Sequence, residues 1–500
     1  MRFVRGWFVL LLVGAAACST RSEVHCTVQS DCDPFPMTLC TGGACHLGAK
    51  LDLGDDDLAG VFSDDDLAGS DQATGPADMI GSCSNDALSC PSSAPICGAS
   101  LQCRACIAGD DAQCGGRAVT TPRCDTITGA CATCRAASEA DDCPSTALSV
   151  CGSDGSCRKA CAKHSDCDSG ICDPGIITPN RASCARADEV VYVEAQTTCP
   201  ATANGSKTNP FCTFDAVLAK LPTGGYVYAL PSTAGNLAQA KNGWNAPYVV
   251  VGTATITGVT TSAGGVTFYP SAFSVGAGGK VHLYGVTIQN AVSTGVTCDG
   301  GALTLSHVGI LGSGAYAVSI GDCKTTVDAT NIRGNGGGIG QSAGTLSVTN
   351  SFIVNNTGVG VSIGSGATIG QLAHLTVMYN KPAAAGAGAF ACGAAANIYN
   401  SIVRGNQQSA ASSFSGACSF HYSDVDETFL MSDHDYNLAP KFVGAKPYLP
   451  IFDYHLIAGD AANVSCCFDQ GTTLASIVTD VDGNKRPLGA GYDIGADEVQ

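Results

Sequence analysis

The chain has 500 residues, of which 62 are glycine and only 14% are charged, and its net charge is −18; a typical globular domain has about 25% charged residues. Such a length exceeds one ordinary core and suits several units or an elongated repeat fold. The acidic balance leaves little to neutralise phosphates, so no nucleic-acid partner is expected.

The chain opens with "MRFVRGWFVLLLVGAAACST", in which Arg2 and Arg5 precede an apolar run from Gly6 to Ala17. That is the layout of a secretory signal over residues 1–17, and it is too short to span a membrane. No later stretch is long and apolar enough for a transmembrane segment, so membrane contact is expected only through a lipid. The phrase "GAAAC" resembles the cleavage box of bacterial lipoproteins and makes Cys18 the expected lipidation site. Ala15 departs from the leucine usual three places before that cysteine. The expected address is the outer membrane at the cell surface, or secretion.

Setting Cys18 aside leaves 28 of 29 cysteines, an even number suited to disulfides in an oxidising compartment. They crowd into sets of four. Cys26, Cys32, Cys40 and Cys45 form a unit over residues 18–45. Four repeats follow over residues 83–187: Cys83, Cys90, Cys97 and Cys103; Cys106, Cys114, Cys124 and Cys131; Cys134, Cys143, Cys151 and Cys157; Cys161, Cys167, Cys172 and Cys184. Each repeat is too short and too poor in large apolar side chains to bury a stabilising core without cross-links. "CRAC" and "CATC" are CxxC pairs of the kind zinc sites use. They lack a matched second pair at finger-like spacing, so disulfide staples are the expected role. Four cysteines allow three pairings per unit, and the spacing leaves these open.

Between the first two units, residues 46–82 carry two copies of DDDLAG and nine aspartates against the single Lys50. Self-repulsion and scarce apolar mass predict a disordered acidic linker. The pattern lacks the twelve-residue loop of an EF-hand.

From residue 188 the grammar changes. "VVYVEA" reads as a strand, and Cys212–Leu221 as a short amphipathic helix with Phe214, Val217 and Leu218 on one stripe, suited to closing the end of a stack. From Lys280 a repeat becomes legible. Apolar anchors stand at Leu283, Leu305, Val327, Val348 and Leu372, and a second anchor follows five residues later at Ile288, Ile310, Ile332, Ile353 and Val377. A sixth copy reads as Ile398 and Ile402 with one residue lost. The second anchors step by 22, 22, 21, 24 and 25 residues, and Ser313, Asn335, Asn356 and Asn380 each follow one by three. Short strands with glycine and asparagine corners are unstable alone and must stack in parallel, about 4.8 Å apart, around a shared core. A β-sandwich does not require this phase with this offset, and a leucine-rich horseshoe, of comparable period, wants leucine-rich strands and alternating helices that this chain lacks. The prediction is an all-β chain: a right-handed single-stranded parallel β-helix over residues 188–500, preceded by small disulfide-rich repeats.

That segment resembles the right-handed parallel β-helix, or pectate-lyase-like, superfamily. Its tail resembles the ending of exported bacterial β-helix proteins: Asp482, Gly483, Arg486 and Pro487, then Asp493, Gly495, Ala496 and Glu498. The cysteine sets and acidic linker also resemble myxobacterial surface lipoproteins. The late cysteines fit local staples, because adjacent coils place residues one period apart side by side: Cys199 is expected to pair with Cys212, Cys298 with Cys323 and Cys392 with Cys418, while the partners of Cys466 and Cys467 stay open.

A lyase of this fold needs carboxylates for Ca²⁺ and an arginine or lysine base; a hydrolase needs carboxylates facing one bond. The densest ionisable group in the coils is Asp299, Asp322, Lys324, Asp328 and Arg333, in which Asp299 and Asp322 sit in turn-like "TCDG" and "IGDC". The superfamily's hydrolase signatures are absent. His282, His307 and His374 read as solvent-facing rungs outside any metal spacing. The polar stretch His421 to Asn437, with Asp424, Asp426, Glu427, Asp433, His434 and Asp435, reads as a loop leaving the coils and is the next place to seek a site, over Asp322 and Asp328. Glycine clusters such as "GNGGGIG" lack the strand-to-helix context of a phosphate loop. Neither a catalytic residue nor a cofactor is assigned, and Ca²⁺ enters only with a lyase. Two functions follow. The first is a surface-anchored, non-enzymatic recognition, adhesion or structural module that binds a polysaccharide or other cell-surface ligand. The alternative is a polysaccharide lyase or other carbohydrate-active enzyme on an exposed face. The sequence assigns no oligomeric state.

Overall fold

The structure, a computed structural model, describes residues 38–41, 44–47, 90, 94–97, 102–107, 110–117, 123–125, 130–134, 139–143, 148–152, 155–177, 182–238, 243–257, 271–381, 388–406, 413–426, 434–444 and 453–499. Two compact units are present, Met1–Met79 and Ile80–Gln500. In the first, the described residues form an antiparallel hairpin of Thr38–Thr41 with Ala44–Leu47, which sets Cys40 opposite Cys45. His46 and Leu47, expected to open the disordered acidic linker, instead complete this hairpin; the rest of the linker and Cys18 lie outside the described residues. Among the described residues no helix is long and apolar enough to cross a membrane.

The second unit begins with the cysteine repeats. In each, the third and fourth cysteines face each other across a short antiparallel hairpin: Cys97 and Cys103, Cys124 and Cys131, Cys151 and Cys157, Cys172 and Cys184. The disulfides run first to third and second to fourth, as in Cys106–Cys124 with Cys114–Cys131, Cys134–Cys151 with Cys143–Cys157, and Cys161–Cys172 with Cys167–Cys184. Cys90–Cys103 follows the same rule. The half-cystines are themselves the buried centre of each repeat, which is how so little apolar mass holds a fold.

From Val190 the chain winds into a right-handed parallel β-helix, whose ladders form one 22-stranded sheet. Each coil contributes to three faces. The first face stacks Val190–Val193, Gly225–Ala229, Pro247–Gly252, Lys280–Tyr284, Ala302–Ser306 and Lys324–Asp328, then the leading parts of Thr345–Val354 and Thr368–Met378 and the trailing parts of Phe390–Tyr399 and Phe414–His421. The second face runs through Thr287–Gln289, Gly309–Leu311 and Asn331–Arg333 to Ile402–Arg404 and Asp424–Val425. The third runs through Ser271–Val275, Thr294–Cys298, Tyr316–Ile320 and Gly337–Gln341.

The anchors read from the sequence stack in register: Leu283 on Leu305, then Val327, Val348, Leu372 and Ile398, and Ile288 on Ile310, then Ile332, Ile353 and Val377. All line one buried core. The sixth copy differs from expectation. Val377 pairs with Val403, not Ile402, so the five-residue offset survives and no residue is lost. Ile402 turns outward into a second apolar cluster beneath the C-terminal segment.

Left-handed backbone sets the corners. Gly285, His307, Ala329, Asn350, His374, Asn400 and Tyr422 all have positive φ between the first and second faces. Asn290, Gly312, Gly334, Asn355, Tyr379 and Gly405 repeat this one corner later. Behind that second corner runs a buried polar ladder. Oδ1 of Asn356 accepts from the backbone N–H and from Nδ2 of Asn335, at 2.9 and 3.0 Å. Asn356 donates likewise to Asn380, and Asn380 to Asn406. Ser313 closes the top of the ladder, its backbone N–H donating to Oδ1 of Asn335. The expected asparagine column is thus present and extends to Asn406.

Both ends of the helix are dressed. The helix Phe214–Lys220, N-capped by Thr213, buries Phe214 and Val217 against the first coils, and Phe214 packs edge-on to Trp244 at 5.2 Å. The disulfides Cys199–Cys212, Cys298–Cys323 and Cys392–Cys418 form as expected, and Cys466 bonds to Cys467.

Replacing Asn356 by leucine leaves the buried backbone N–H of Asn335 without its acceptor, at a cost of about 1–3 kcal/mol, and takes from Oδ1 of Asn380 one of its two donors. Urea unfolding should show a lower midpoint for Asn356→Leu, and an unchanged midpoint would refute a stabilising role for the ladder.

Candidate functional site

Stacking fixes what the outside of the first face presents. The residue before each first anchor points away from the core: His282, Thr304, Thr326, Ser347, Gln371 and Asn397, continued by Ser419. The residue after each anchor adds Tyr284, Ser306, Asp328, Thr349 and Tyr399, with the buried Ala373 interrupting this second row between the last two. Six ladder steps of about 4.8 Å make this strip roughly 29 Å long. It is a floor of hydroxyls and amides.

Walls turn the floor into a groove. On one side the C-terminal segment contributes Ser476, Ile477, Val478 and Thr479, which with His282, Thr304, Ser306, Thr326, Asp328, Thr349, Asn350 and Gln371 line an open hollow of about 310 Å³. Gln371 also lines the next hollow, about 510 Å³, with Asn397, Tyr399 and Leu474. A separate hollow of about 440 Å³ beside the capping helix brings one carboxylate, Asp215, to a wall built from Leu218, Pro222, Asn245 and Tyr248.

The tail motif holds the wall in place. Arg486 is fully buried, with Nη1 2.7 Å from Oε2 of Glu498 and Nη2 donating to the carbonyls of Gly495 and Ala496. Asp493 accepts the backbone N–H groups of Asp469 and Val499, and burial pushes its carboxyl up to about 7. The knot docks on the coils through the Ala496 N–H to Thr376 Oγ1, the Gly495 N–H to the Asn400 carbonyl, and His374 Nδ1 to the Asp493 carbonyl. These motif residues therefore build the wall.

The histidines depart from the sequence reading. His307 is exposed, but at a corner and not on a strand rung; His374 and His282 do not face solvent. His374 is wholly buried at a corner, accepts Nδ2 of Asn400 on Nε2, and is held well below the usual histidine range by burial and by Arg486. His282 is only 7% exposed, because the last cysteine repeat covers it with His164 and the neighbouring Tyr284 flanks it. Neither ring nitrogen of His282 has a hydrogen-bond partner. Burial, then the charges of His164 and His307, lowers its pKa to about 3.

The densest ionisable group of the coils does not converge. Asp299 and Asp322 do meet at one corner, where the Gly300 N–H donates to the Asp322 carbonyl. Lys324 opens a first-face strand, Asp328 closes it, and Arg333 lies on the second face. Oδ1 of Asp328 is held by Thr349 Oγ1 at 2.6 Å and Asn350 Nδ2 at 3.0 Å. Among the described residues of the stretch after His421, Asp424 does not lie over Asp322 and Asp328: it continues the second face four ladder steps on, roughly 19 Å along the axis. Burial pushes Asp424 up to about 6 despite Arg404 at 3.0 Å. Asp426 accepts the Gly405 N–H, Asp435 accepts the Ser423 N–H, and His434 stacks on Tyr422 at 4.7 Å. Glu427 and Asp433 lie outside the described residues.

One cluster escaped the sequence reading. His455, Asp482 and Asp497 bring one ligand atom each within 4.8 Å of one another, and Asp453 contacts His455 Nδ1. Although burial opposes the charged ring, Asp453, Asp497 and Asp482 hold the His455 pKa above its usual value. The set works as an ion-pair network within the tail. As metal ligands, its mixed nitrogen and oxygen donors suit a transition metal better than Ca²⁺.

No protein-family description and no curated protein matches the chain. Among solved structures, a crystal structure of pectate lyase Pel9A is similar, at 15% identity and a TM-score of 0.35, over 62% of this chain and 96% of that one.

A histidine whose folded pKa is depressed contributes stability that is complete above its unfolded value, about 6.5, and is lost as pH falls toward its folded value. The stability difference between His282→Phe and wild type should therefore shift in favour of the variant as pH drops from about 6.5 toward about 3. Parallel denaturation curves across this range would contradict the burial of a neutral ring.

Proposed function

We propose that this chain binds an extended polysaccharide along the outward groove of the first face. The supporting observation is the continuous polar strip from His282 to Ser419, walled by the tail and floored by hydroxyl and amide groups. Sugar hydroxyls both donate and accept, and such a floor matches them over many weak contacts. Among the residues that line this hollow Asp328 is the one carboxylate, and its Oδ1 is already engaged. The groove therefore favours a neutral polymer over a polyanion.

A second reading keeps the polysaccharide and adds catalysis: a carbohydrate-active enzyme, lyase or hydrolase, working in the same groove. One observation favours it, namely that Asp328 and a neutral His282 line the same cavity. Affinity electrophoresis against neutral polysaccharides tests binding, and assay of the same mixtures for released sugars tests turnover. Thr326→Trp, which fills the groove floor, should weaken retardation by about tenfold, or about 1.4 kcal/mol. Release of sugars by wild type but not by Asp328→Asn would support the enzyme. Retardation unchanged in Thr326→Trp would remove the groove from either reading.

Export and a lipid on Cys18 complete the proposal, setting the groove at a cell surface. Cys18→Ser should move the protein from the membrane to the soluble fraction, and its retention on membranes would refute that anchor.

A further inference from the structure

We propose that His455, Asp482 and Asp497 bind one divalent transition ion of the zinc class, which clasps three stretches of the C-terminal segment together beside the groove. The inference is independent of the polysaccharide reading.

The ligand atoms converge. Nε2 of His455 stands 2.9 Å from Oδ2 of Asp482, and with one oxygen of Asp497 the three atoms lie within 4.8 Å of one another. Ligand atoms about 2.0–2.2 Å from a tetrahedral zinc stand about 3.4 Å apart, a spacing between those two values. The ring is also held in place, with Nδ1 engaged by Asp453 and its edge packed against Phe352 at 5.4 Å. A carboxylate on the far nitrogen is the usual partner of a ligating histidine, because it fixes the tautomer and leaves the other lone pair for the ion.

Two of the three groups lack partners of their own. Nε2 of His455 makes no hydrogen bond, despite the nearness of Asp482. Asp497 is more than nine-tenths buried and accepts one hydrogen bond, from the Leu456 N–H on Oδ2, so its other oxygen has no donor among the described residues. The carboxylate beside Nε2 is Asp482, itself a ligand and half exposed, so a cation arriving from solvent meets it first. Without a metal, a proton on Nε2 pairs the ring with Asp482; a divalent ion takes that proton's place and balances both carboxylates. Calcium takes six to eight oxygens, and the neighbouring Asp480 has none to spare. Its Oδ1 accepts the backbone N–H groups of Asp482 and Asn484, and its Oδ2 accepts Asn484 Nδ2 and the Glu498 N–H. The ion joins the turn that holds Asp482, which directly follows the wall residues Ser476 to Thr479, to His455 and to the tail motif.

The test titrates ZnCl₂ or CaCl₂ into the full-length, chelator-treated protein under non-reducing conditions at neutral pH, by calorimetry and by Tm. One equivalent of Zn²⁺ should bind and raise the Tm, and Ca²⁺ should do neither. Asp482→Asn, at a half-exposed position, should fold like wild type and lose the Zn²⁺-dependent rise in Tm, as should His455→Gln. Asp453→Asn, which removes the carboxylate behind the ring, should weaken Zn²⁺ binding by about ten- to a hundredfold. Co²⁺ in place of zinc should give the visible absorption of a four-coordinate ion in wild type and not in Asp482→Asn. Failure of wild type to bind Zn²⁺, or equal binding by wild type, Asp482→Asn and His455→Gln, overturns the site. Tighter binding of Ca²⁺ than of Zn²⁺ overturns the choice of ion.

Discussion

Parallel backbone pairing between successive coils is the interaction on which everything else depends. A strand of three to five residues has no independent stability, and each coil here leaves its N–H and C=O groups pointing along the axis. They are satisfied only by the coil above and the coil below. The left-handed corners keep the coils the same shape, because a positive φ turns the chain sharply between two short strands. The buried asparagine ladder serves the same end with side chains, pairing each coil to the next at a corner where backbone groups diverge.

From stacking follows the division of labour between the two sides of the first face. Period-two alternation in each strand becomes a column when strands stack in register. Inward columns of leucine, valine and isoleucine make the core; outward columns of threonine, serine, glutamine and asparagine make the groove. The disulfide repeats and the tail then decide which outward rungs stay accessible. The last repeat buries the first rungs and His282, and the tail, knotted by Arg486, Asp493 and Glu498, walls the middle ones.

Much of the fold was legible because its signals are local. Leu283 to Leu372 and Ile288 to Val377 announce themselves by spacing, and their columns stack as expected. The slip at Ile402 had a local cause: two apolar residues stand side by side, and only the pairing of Val377 with Val403 shows which one faces the core. The groove had a signal that went unused, since every residue just before a first anchor is polar. His282 and His374 were misread for a different reason. Their exposure depends on segments far away in the chain, Ile171 to Ala185 for one and Asp493 for the other. Asp328 and Arg333 are five residues apart, yet a left-handed corner at Ala329 sends them to different faces. The His455 cluster joins residues brought together only by the folding of the tail.

The sequence by itself determined the coil: its length, its apolar columns, its corners and the small cross-linked repeats before it, because each depends on spacing within a few tens of residues. Tertiary structure decided the cysteine pairing, the burial of His282 and the walls of the groove. Those depend on which distant segments pack against one another, and excluded water at a given rung is a property of that packing, which no local pattern records.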